Sequence, residues 1–307
     1  MSRPEHRPVR HAMHLVKAIA ASLFIAINTV AVWIPLTWWI LVLPFLSGER
    51  LGRHKEKMDK IIWWWTGNNR RMIAALGLTR PEITWHAEEE LSPHHWYLVI
   101  SNHQSWTDIV LLQSYLYGVI PPLKFFTKEQ LIWVPGIGLA MKVLGFPYVK
   151  RVTKAQVKAN PKLLTADRDN VMQACEGFKN HPTSILNFVE GTRRTEEKHS
   201  RQNSEYAYLL RPKIGGLDYV LEGMRDHLHR LVDVTIIYPD GVPTFWAFLQ
   251  GKCPRVILEV QPLEIPAAVR EAEAAERRAV LAQWIRDIWV EKDRRITGAV
   301  NGDAVCT

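Results

Sequence analysis

The stretch "SNHQSWTDIVLL", Ser101–Leu112, decides the fold of the surrounding chain. The apolar run Tyr97–Ile100 comes before it, and it ends in another apolar run. His103 precedes Asp108 by five residues, which on one continuous helix would turn the two side chains about 140° apart. They can meet only if His103 lies in a loop and Asp108 in the first turn of a helix. The stretch therefore predicts a strand, a loop and a helix whose start Ser105 or Thr107 could cap.

A histidine beside an aspartate in such a loop is suited to proton transfer. The carboxylate fixes the tautomer by bonding one ring nitrogen, which leaves the other nitrogen free to act as a base. A histidine followed five residues later by an aspartate is a weak pattern by itself, and a capped loop containing a structural histidine is the alternative interpretation.

Beyond about Trp85 the chain alternates between strand and helix patterns, which predicts an α/β domain with a central mixed, partly parallel sheet flanked by helices. The predicted strands are Trp96–Ile100, Lys124–Thr127, Phe146–Lys150, Ser184–Val189, Leu231–Tyr238 and Val256–Val260. The predicted helices are Asp108–Tyr117, Gln130–Leu144, Ala166–Asn180 and Leu217–Leu228. A last helix carries the apolar stripe Leu281, Trp284, Ile285, Ile288 and Trp289, for which we expect core packing.

The N-terminal run Ala18–Leu46 contains no charged side chain. As a straight helix it would be about 44 Å long, more than one crossing of a hydrocarbon core of about 30 Å needs and less than two. Pro35 and Pro44 are expected to interrupt it, and basic residues flank both ends. These features favour a membrane-embedded helical hairpin that re-enters one leaflet, with a single tilted transmembrane helix as the alternative. The run is too long for a signal peptide, and no small-residue cleavage site follows it.

The next segment, "IIWWWTGNNRRMIAALG", could lie in the membrane interface or pack on the domain. We predict a membrane anchor with an interfacial helix at residues 1–75 and a catalytic domain at residues 76–300.

Composition narrows the class of protein. Of 307 residues, 47% are apolar and 23% charged, which excludes a disordered chain. The thirteen tryptophans suit a membrane interface. The net charge of +8 suits an anionic partner, but no nucleic-acid motif is recognised and the apolar anchor argues against nucleic acid.

Two further motifs bring cationic residues to strand ends. "NFVEGTRRT" follows a predicted strand and places Glu190, Gly191, Thr192 and Arg193 in a tight turn, where a glycine allows close backbone approach and an arginine can bind a phosphate. "GFPYVKR" ends in Lys150 and Arg151, of which strand alternation turns only one toward a site.

These motifs resemble those of the glycerolipid acyltransferase family, the lysophosphatidic acid acyltransferases. "NHQSWTD" is similar to the family's N-H-x4-D block, "GFPYVKR" to G-x-x-F-x-x-R, and "FVEGTRR" to F-P-E-G-T-R. "DVTIIYPD" falls where a fourth, hydrophobic block is expected. Val189 replaces the usual proline, while Lys213 and Gly215 depart from a branch that has arginine and lysine there. The departures leave the acceptor head group and the acyl preference open.

The resemblance implies that His103 is the general base, oriented by Asp108, for transfer of an acyl group from acyl-CoA or acyl carrier protein to the sn-2 hydroxyl of lysophosphatidic acid or a related lysophospholipid. The residues that it assigns to the phosphate of the acceptor are Arg151, Glu190, Gly191, Thr192 and Arg193, with Asn102 and Lys150 in support.

No metal and no cofactor beyond the acyl donor is expected, and the expected location is the cytoplasmic face of the inner (plasma) membrane. A lysophospholipid with a different head group, such as lyso-ornithine lipid, is an alternative acceptor. A membrane-surface lipid-binding protein without catalysis is the alternative from another class, which the intact histidine and aspartate argue against.

Overall fold

The computed structural model describes residues 7–86, 90–133, 137–149 and 162–302. The chain begins with a helical hairpin, in which α1 (Arg7–Val42) and α2 (Gly48–Leu76) are joined by a short 3-10 turn at Leu43–Phe45. The helices run antiparallel, because Asn28 of α1 donates to the carbonyl of Trp65 at 3.0 Å while the rings of Trp39 and His54 lie 4.0 Å apart nearer the turn.

A helical hairpin is present, but it is formed by α1 and α2, whereas the expected hairpin lay within the apolar run Ala18–Leu46. α1 continues through Pro35, which was expected to interrupt it, and the apolar run lies almost wholly on this one helix. A proline removes one backbone hydrogen bond from a helix, and here the packing of Leu36 and Val32 against Met58 outweighs that loss. The second arm, α2, carries many charged side chains in its first half.

The body of the protein is a six-stranded mixed sheet in the order β1-β8-β7-β2-β6-β3, with a separate two-stranded parallel pair, β4-β5. The strands are β1 Arg80–Trp85, β2 Trp96–Ser101, β3 Leu123–Phe125, β4 Thr127–Lys128, β5 Tyr148–Val149, β6 Ser184–Phe188, β7 Leu228–Ile237 and β8 Arg255–Leu263. Strands β7, β2, β6 and β3 are mutually parallel, β8 runs antiparallel to β7, and β1 runs parallel to β8. The predicted α/β fold is confirmed.

Helices cover both faces of this sheet. After α1 and α2 they are α3 Thr107–Tyr115, α4 Ile137–Val143, α5 Lys162–Phe178, α6 Glu196–Gln202, α7 Gly215–Met224, α8 Phe245–Leu249, α9 Ala267–Glu271 and α10 Ala274–Asn301. Alternation along β2 sends Tyr97 and Val99 into a core shared with α1, α2, α3 and α8. Leu98 and Ile100 enter the opposite core, with α5, α7 and α10.

The connections place a candidate site at the carboxyl ends of the central parallel strands. From β2 the chain passes through α3 to β3, beyond β6, whereas from β6 it passes through α6 and α7 to β7, on the other side of β2. The carboxyl ends of β7, β2 and β6 therefore lie side by side where the chain departs in opposite directions. Such a switch point is where α/β sheets form ligand sites.

Several local predictions are corrected by the structure. The predicted helix Gln130–Leu144 is a 3-10 segment, Glu129–Trp133, followed by the short α4. The predicted strand Lys124–Thr127 is divided between β3 and β4, because Thr127 and Lys128 pair with β5 and not with the main sheet. Edge strand β1 was not predicted, since its side chains are mostly exposed and show no apolar alternation.

Two other expectations have clear outcomes. The stripe on α10 is core, as predicted: Leu281, Ile285 and Trp289 are fully buried. The segment rich in tryptophan lies in α2 and packs on the domain through Met72 and Ile73. The division between an anchor at 1–75 and a catalytic domain at 76–300 stays a prediction.

Candidate active site

The structure brings His103 and Asp108 together. His103 lies in the loop between β2 and α3, and its Nδ1 is 2.8 Å from Oδ2 of Asp108, in the first turn of α3. The Asp108 side chain is completely buried, while the His103 side chain is 12% exposed. The pair thus has a buried carboxylate and a ring that reaches the surface of the site.

Four hydrogen-bond donors converge on the Asp108 carboxylate. Besides His103, the backbone N–H groups of Gln104 and Ser105 donate to Oδ2 at 2.6 and 2.8 Å. The Tyr238 hydroxyl donates to Oδ1 at 2.5 Å. Burial and the negative charge of Asp108 raise the pKa of Tyr238 well above 10, so the phenol keeps its proton.

This arrangement determines which nitrogen of His103 can act. An ionised carboxylate only accepts hydrogen bonds, so Nδ1 carries the hydrogen in the His103–Asp108 bond. In the neutral ring, Nε2 then keeps its lone pair and can accept a proton from a substrate. The expected cap is corrected: Trp106 is the N-cap of α3, and its side chain makes no cap hydrogen bond. Ser105 instead braces the loop, because its Oγ accepts from the N–H of Thr107 at 3.2 Å and donates to the carbonyl of Pro243 at 2.7 Å.

Strand β6 and the turn after it hold His103 from the other side. The imidazole stacks on the ring of Phe188, with centroids 4.0 Å apart and planes inclined by 17°. The N–H of His103 donates to Oε2 of Glu190 at 3.0 Å, and its carbonyl accepts from the N–H of Arg194 at 2.7 Å. Both the ring and the backbone of His103 are therefore fixed.

The Glu190 side chain holds the backbone of His103 in place and is not exposed to a ligand. Its side chain is fully buried, and its second oxygen accepts from the N–H of Leu210 at 3.0 Å. Burial raises the pKa of Glu190 to about 8, while the hydrogen bonds from Leu210 and His103 oppose that shift. The expectation that Glu190 binds the phosphate is corrected to a role in positioning His103.

Gly191 is required by the shape of the same turn. Its φ is +69°, a region that favours glycine, and an added Cβ would lie 3.3 Å from Cδ and Nζ of Lys213. Asn102, predicted in a supporting role, holds β2 to β7, because its amide donates to the carbonyl of Ile236 at 2.8 Å and accepts from the N–H of Ile236 at 2.9 Å.

Cationic side chains lie around the turn. The Arg193 guanidinium lies 4.6 Å above the centre of the Trp106 ring, within range of a cation–π interaction. Nζ of Lys198 donates to Oγ1 of Thr192 at 2.8 Å and to the carbonyl of Arg193 at 2.9 Å. Lys150 and Arg151, the other predicted cations, lie outside the described residues.

An apolar cavity of about 430 Å³ begins beside this site. It lies between the helical hairpin, α3 and α4, and Trp106, which stacks with Arg193, forms part of its wall. Other residues of the wall are Val32, Trp33, Ile62, Trp65, Ile109 and Val110. The arrangement therefore combines a potential base, a cationic turn and a space for an apolar chain.

Sequence reasoning missed Tyr238, Phe188, Lys198 and Trp106 as parts of the site. Tyr238 directly follows β7 and Phe188 ends β6, so the strand order would have placed them beside His103. Lys198 and Trp106 carry no recognisable signal in the sequence.

Comparison with known proteins shows the family of the chain. The family model for Acyltransferase matches residues 82–238, just over half of the 307 residues. Among curated relatives, lysocardiolipin acyltransferase 1 of Danio rerio is 28% identical over 215 residues, which is 65% of this chain and 51% of that protein. The 1-acyl-sn-glycerol-3-phosphate acyltransferase gamma of Homo sapiens is 28% identical over 213 residues, 64% of this chain and 51% of that protein. The chain spans about half the length of these relatives.

A solved structure shows the same fold. The crystal structure of the 1-acyl-sn-glycerophosphate (LPA) acyltransferase PlsC from Thermotoga maritima matches with a TM-score of 0.53 and 17% sequence identity, covering 96% of this chain and 99% of that one. The protein belongs to the Acyltransferase family.

The support from Glu190 can be tested by the change Glu190→Gln. Above about pH 8 the ionised Glu190 accepts from both backbone N–H groups, whereas a glutamine has only one acceptor oxygen and its NH₂ group would face one of them. In thermal unfolding, we expect the free energy of unfolding to fall by about 1–3 kcal/mol. In product assays, we expect a lower kcat/KM. Glu197→Gln, at an exposed position, is the matched control. Wild-type values for Glu190→Gln would remove the positioning role.

Proposed function

We propose that this protein transfers a fatty acyl group from acyl-CoA or acyl carrier protein to the free sn-2 hydroxyl of lysophosphatidic acid or a related lysophospholipid. The observation that carries the proposal is the His103–Asp108 pair next to Trp106, whose side chain lines the apolar cavity and lies against the Arg193 guanidinium. A base, a place for an acyl chain and a cation for a phosphate are the three elements that this reaction requires.

In the proposed mechanism, the hydroxyl of the acceptor gives its proton to Nε2 of His103 while its oxygen attacks the thioester carbonyl carbon. The tetrahedral intermediate then breaks its carbon–sulfur bond, and the departing thiol takes the proton back from the imidazolium. Asp108 stabilises the imidazolium between these steps. General base catalysis of this kind contributes about 10²- to 10⁴-fold, and holding both substrates in place contributes further.

Each substrate has a proposed place. The acyl chain of the donor occupies the apolar cavity, whose wall on α3 begins at Trp106, two residues before Asp108. The phosphate of the acceptor binds Arg193, with Arg151 as a second cation and Thr192 beside it. The planar guanidinium suits a phosphate, because it presents donors in a fixed fork.

Packing of α1 supports attachment to one side of a membrane. Its buried face includes Ala18, Ala21, Asn28 and Leu36, which contact α2 and the catalytic core. A second apolar stripe at helical spacing is exposed: Val16, Ile19, Leu23, Ile27, Val30, Ile34, Trp38 and Leu41. An exposed stripe of this length requires an apolar environment such as the bilayer.

The same packing favours an interfacial hairpin over a transmembrane helix. The segment Arg10–Phe45 is long and apolar enough to span a membrane. However, one side of α1 packs against the domain. The first half of α2, which lies beside the C-terminal end of α1, is charged. We therefore propose that the outer stripe of α1 lies in one leaflet, at the cytoplasmic face of the inner membrane.

Replacing the base tests the proposed function directly. His103→Ala removes Nε2, and we expect the rate of acyl transfer to fall at least about 100-fold, measured by mass spectrometry of products from a panel containing lysophosphatidate and monolysocardiolipin. Binding to lipid vesicles should remain, since the stripe on α1 is unchanged. His94→Ala, an exposed histidine at the amino end of β2, is the matched control. Transfer by His103→Ala at near the wild-type rate would disprove the mechanism.

The role of Arg193 predicts an effect on the acceptor alone. Arg193→Ala should raise KM for lysophosphatidate about tenfold or more, because a charged partner of the phosphate is lost, and Arg193→Lys should show a smaller increase. The KM for a monoacylglycerol, which has no phosphate, should not change. Arg201→Ala, exposed on α6, is the control variant. An unchanged KM for lysophosphatidate would remove Arg193 from the phosphate site.

A further inference from the structure

A second cavity, of about 450 Å³, lies on the other side of α4 from the apolar cavity. Ala140 and Met141 of α4 face the apolar cavity, whereas Leu139, Lys142 and Val143 face the second one. The remaining wall comes from α2, β3, α5 and the hairpin turn. The proposed mechanism makes no use of this space.

Three buried titratable side chains form one end of the second cavity. The carboxylate of Asp59 lies 2.9 Å from Nζ of Lys124 and 2.7 Å from Nε2 of His181, and each of the three residues is less than a tenth exposed. Burial acts against ionisation of Asp59, but the charge of Lys124 and the hydrogen bond from His181 outweigh it and lower the pKa of Asp59. Asp59 is therefore charged, and Nε2 of His181 carries a hydrogen.

The wall of the second cavity carries more positive than negative charge, and one buried polar atom of the cluster has no hydrogen-bond partner among the described residues. Lys124 and Lys142 supply two positive charges against the single negative charge of Asp59. Within the described part of the chain, no carboxylate oxygen lies within 4 Å of the Lys142 ammonium. Nδ1 of His181 is buried without a hydrogen-bond partner among the same residues. Buried polar groups are normally paired, so an unpaired one beside a cavity points to a ligand or to water.

The rest of the wall is mainly apolar, with Leu43, Met58, Val143, Leu144 and Phe178. A cavity with a cationic end and an apolar wall complements a molecule with an anionic head and a hydrocarbon chain. We propose that the second cavity binds such an amphiphilic anion, either a lipid phosphate or a fatty carboxylate, at a site separate from His103. Because α4 separates the two cavities and is only seven residues long, the occupant also supports one wall of the apolar cavity.

Two variants alter this site without touching the catalytic residues. Lys142→Ala removes a cation from an exposed position in the cavity wall. Gly177→Leu fills the space: Gly177 lies on α5 in the cavity wall, and a Cβ added there would meet no atom within 4 Å. The second change also suits a helix better than glycine does, so it should not unfold the protein. Lys179→Ala, on the loop end of α5 and outside the cavity wall, is the matched control.

The experiment is photolabelling of the full-length protein, in phosphatidylcholine nanodiscs, with a diazirine derivative of oleate. Mass spectrometry of the peptides should find label on Gln173–Phe178, in addition to the apolar cavity. We expect Lys142→Ala and Gly177→Leu to reduce the label on Gln173–Phe178 about tenfold, the effect of losing one charge-assisted hydrogen bond or the space itself. His103→Ala should leave this label unchanged, which separates this site from the proposed catalytic function.

Competition identifies the ligand. Stronger displacement of the label by oleate than by oleoyl lysophosphatidate would assign the site to fatty carboxylates, and the opposite order would assign it to lipid phosphates. Three results would overturn the proposal: no label on Gln173–Phe178, equal competition by methyl oleate, which has no charge, or equal competition by inorganic phosphate, which has no chain.

Discussion

The site depends on the buried carboxylate of Asp108. Its two oxygens accept from the imidazole of His103, from two backbone N–H groups of the loop and from the Tyr238 hydroxyl. Together these hydrogen bonds join β2, α3 and β7 at one point. A buried carboxylate is costly unless it is well hydrogen-bonded, so the loss of any of these donors would destabilise this part of the fold. The orientation that His103 needs is thus a consequence of how the carboxylate is buried.

The opposite side of His103 is fixed by the turn after β6. Phe188 stacks on the ring, and Glu190 accepts from the backbone of His103 and of Leu210. The same turn presents Arg193, whose guanidinium lies over Trp106 at the wall of the apolar cavity. The proposed base and the proposed cation therefore follow two adjacent parallel strands, β2 and β6, whereas the apolar cavity is formed by the helical hairpin, α3 and α4.

Much of this arrangement could be predicted from the sequence, because the decisive signals are local. The alternation of strands and helices gave the α/β fold, and the five-residue spacing of His103 and Asp108 required a loop followed by a helix. Contacts between distant segments could not be predicted: Tyr238 lies 130 residues from Asp108, and Asp59 lies 122 residues from His181. The continuation of α1 through Pro35 was also missed, since tertiary packing there outweighs the local preference of proline.

The central claim is that His103 is a neutral base whose Nε2 is free because Asp108 holds the hydrogen on Nδ1. Nitrogen-15 NMR of histidine-labelled protein, with His103→Ala used to assign the signal, measures this directly. In the substrate-free protein, we predict that the neutral form of the His103 ring carries its hydrogen on Nδ1 and has an unprotonated Nε2. A neutral ring with its hydrogen on Nε2 would contradict the account, as the lone pair would then face Asp108 and not the substrate.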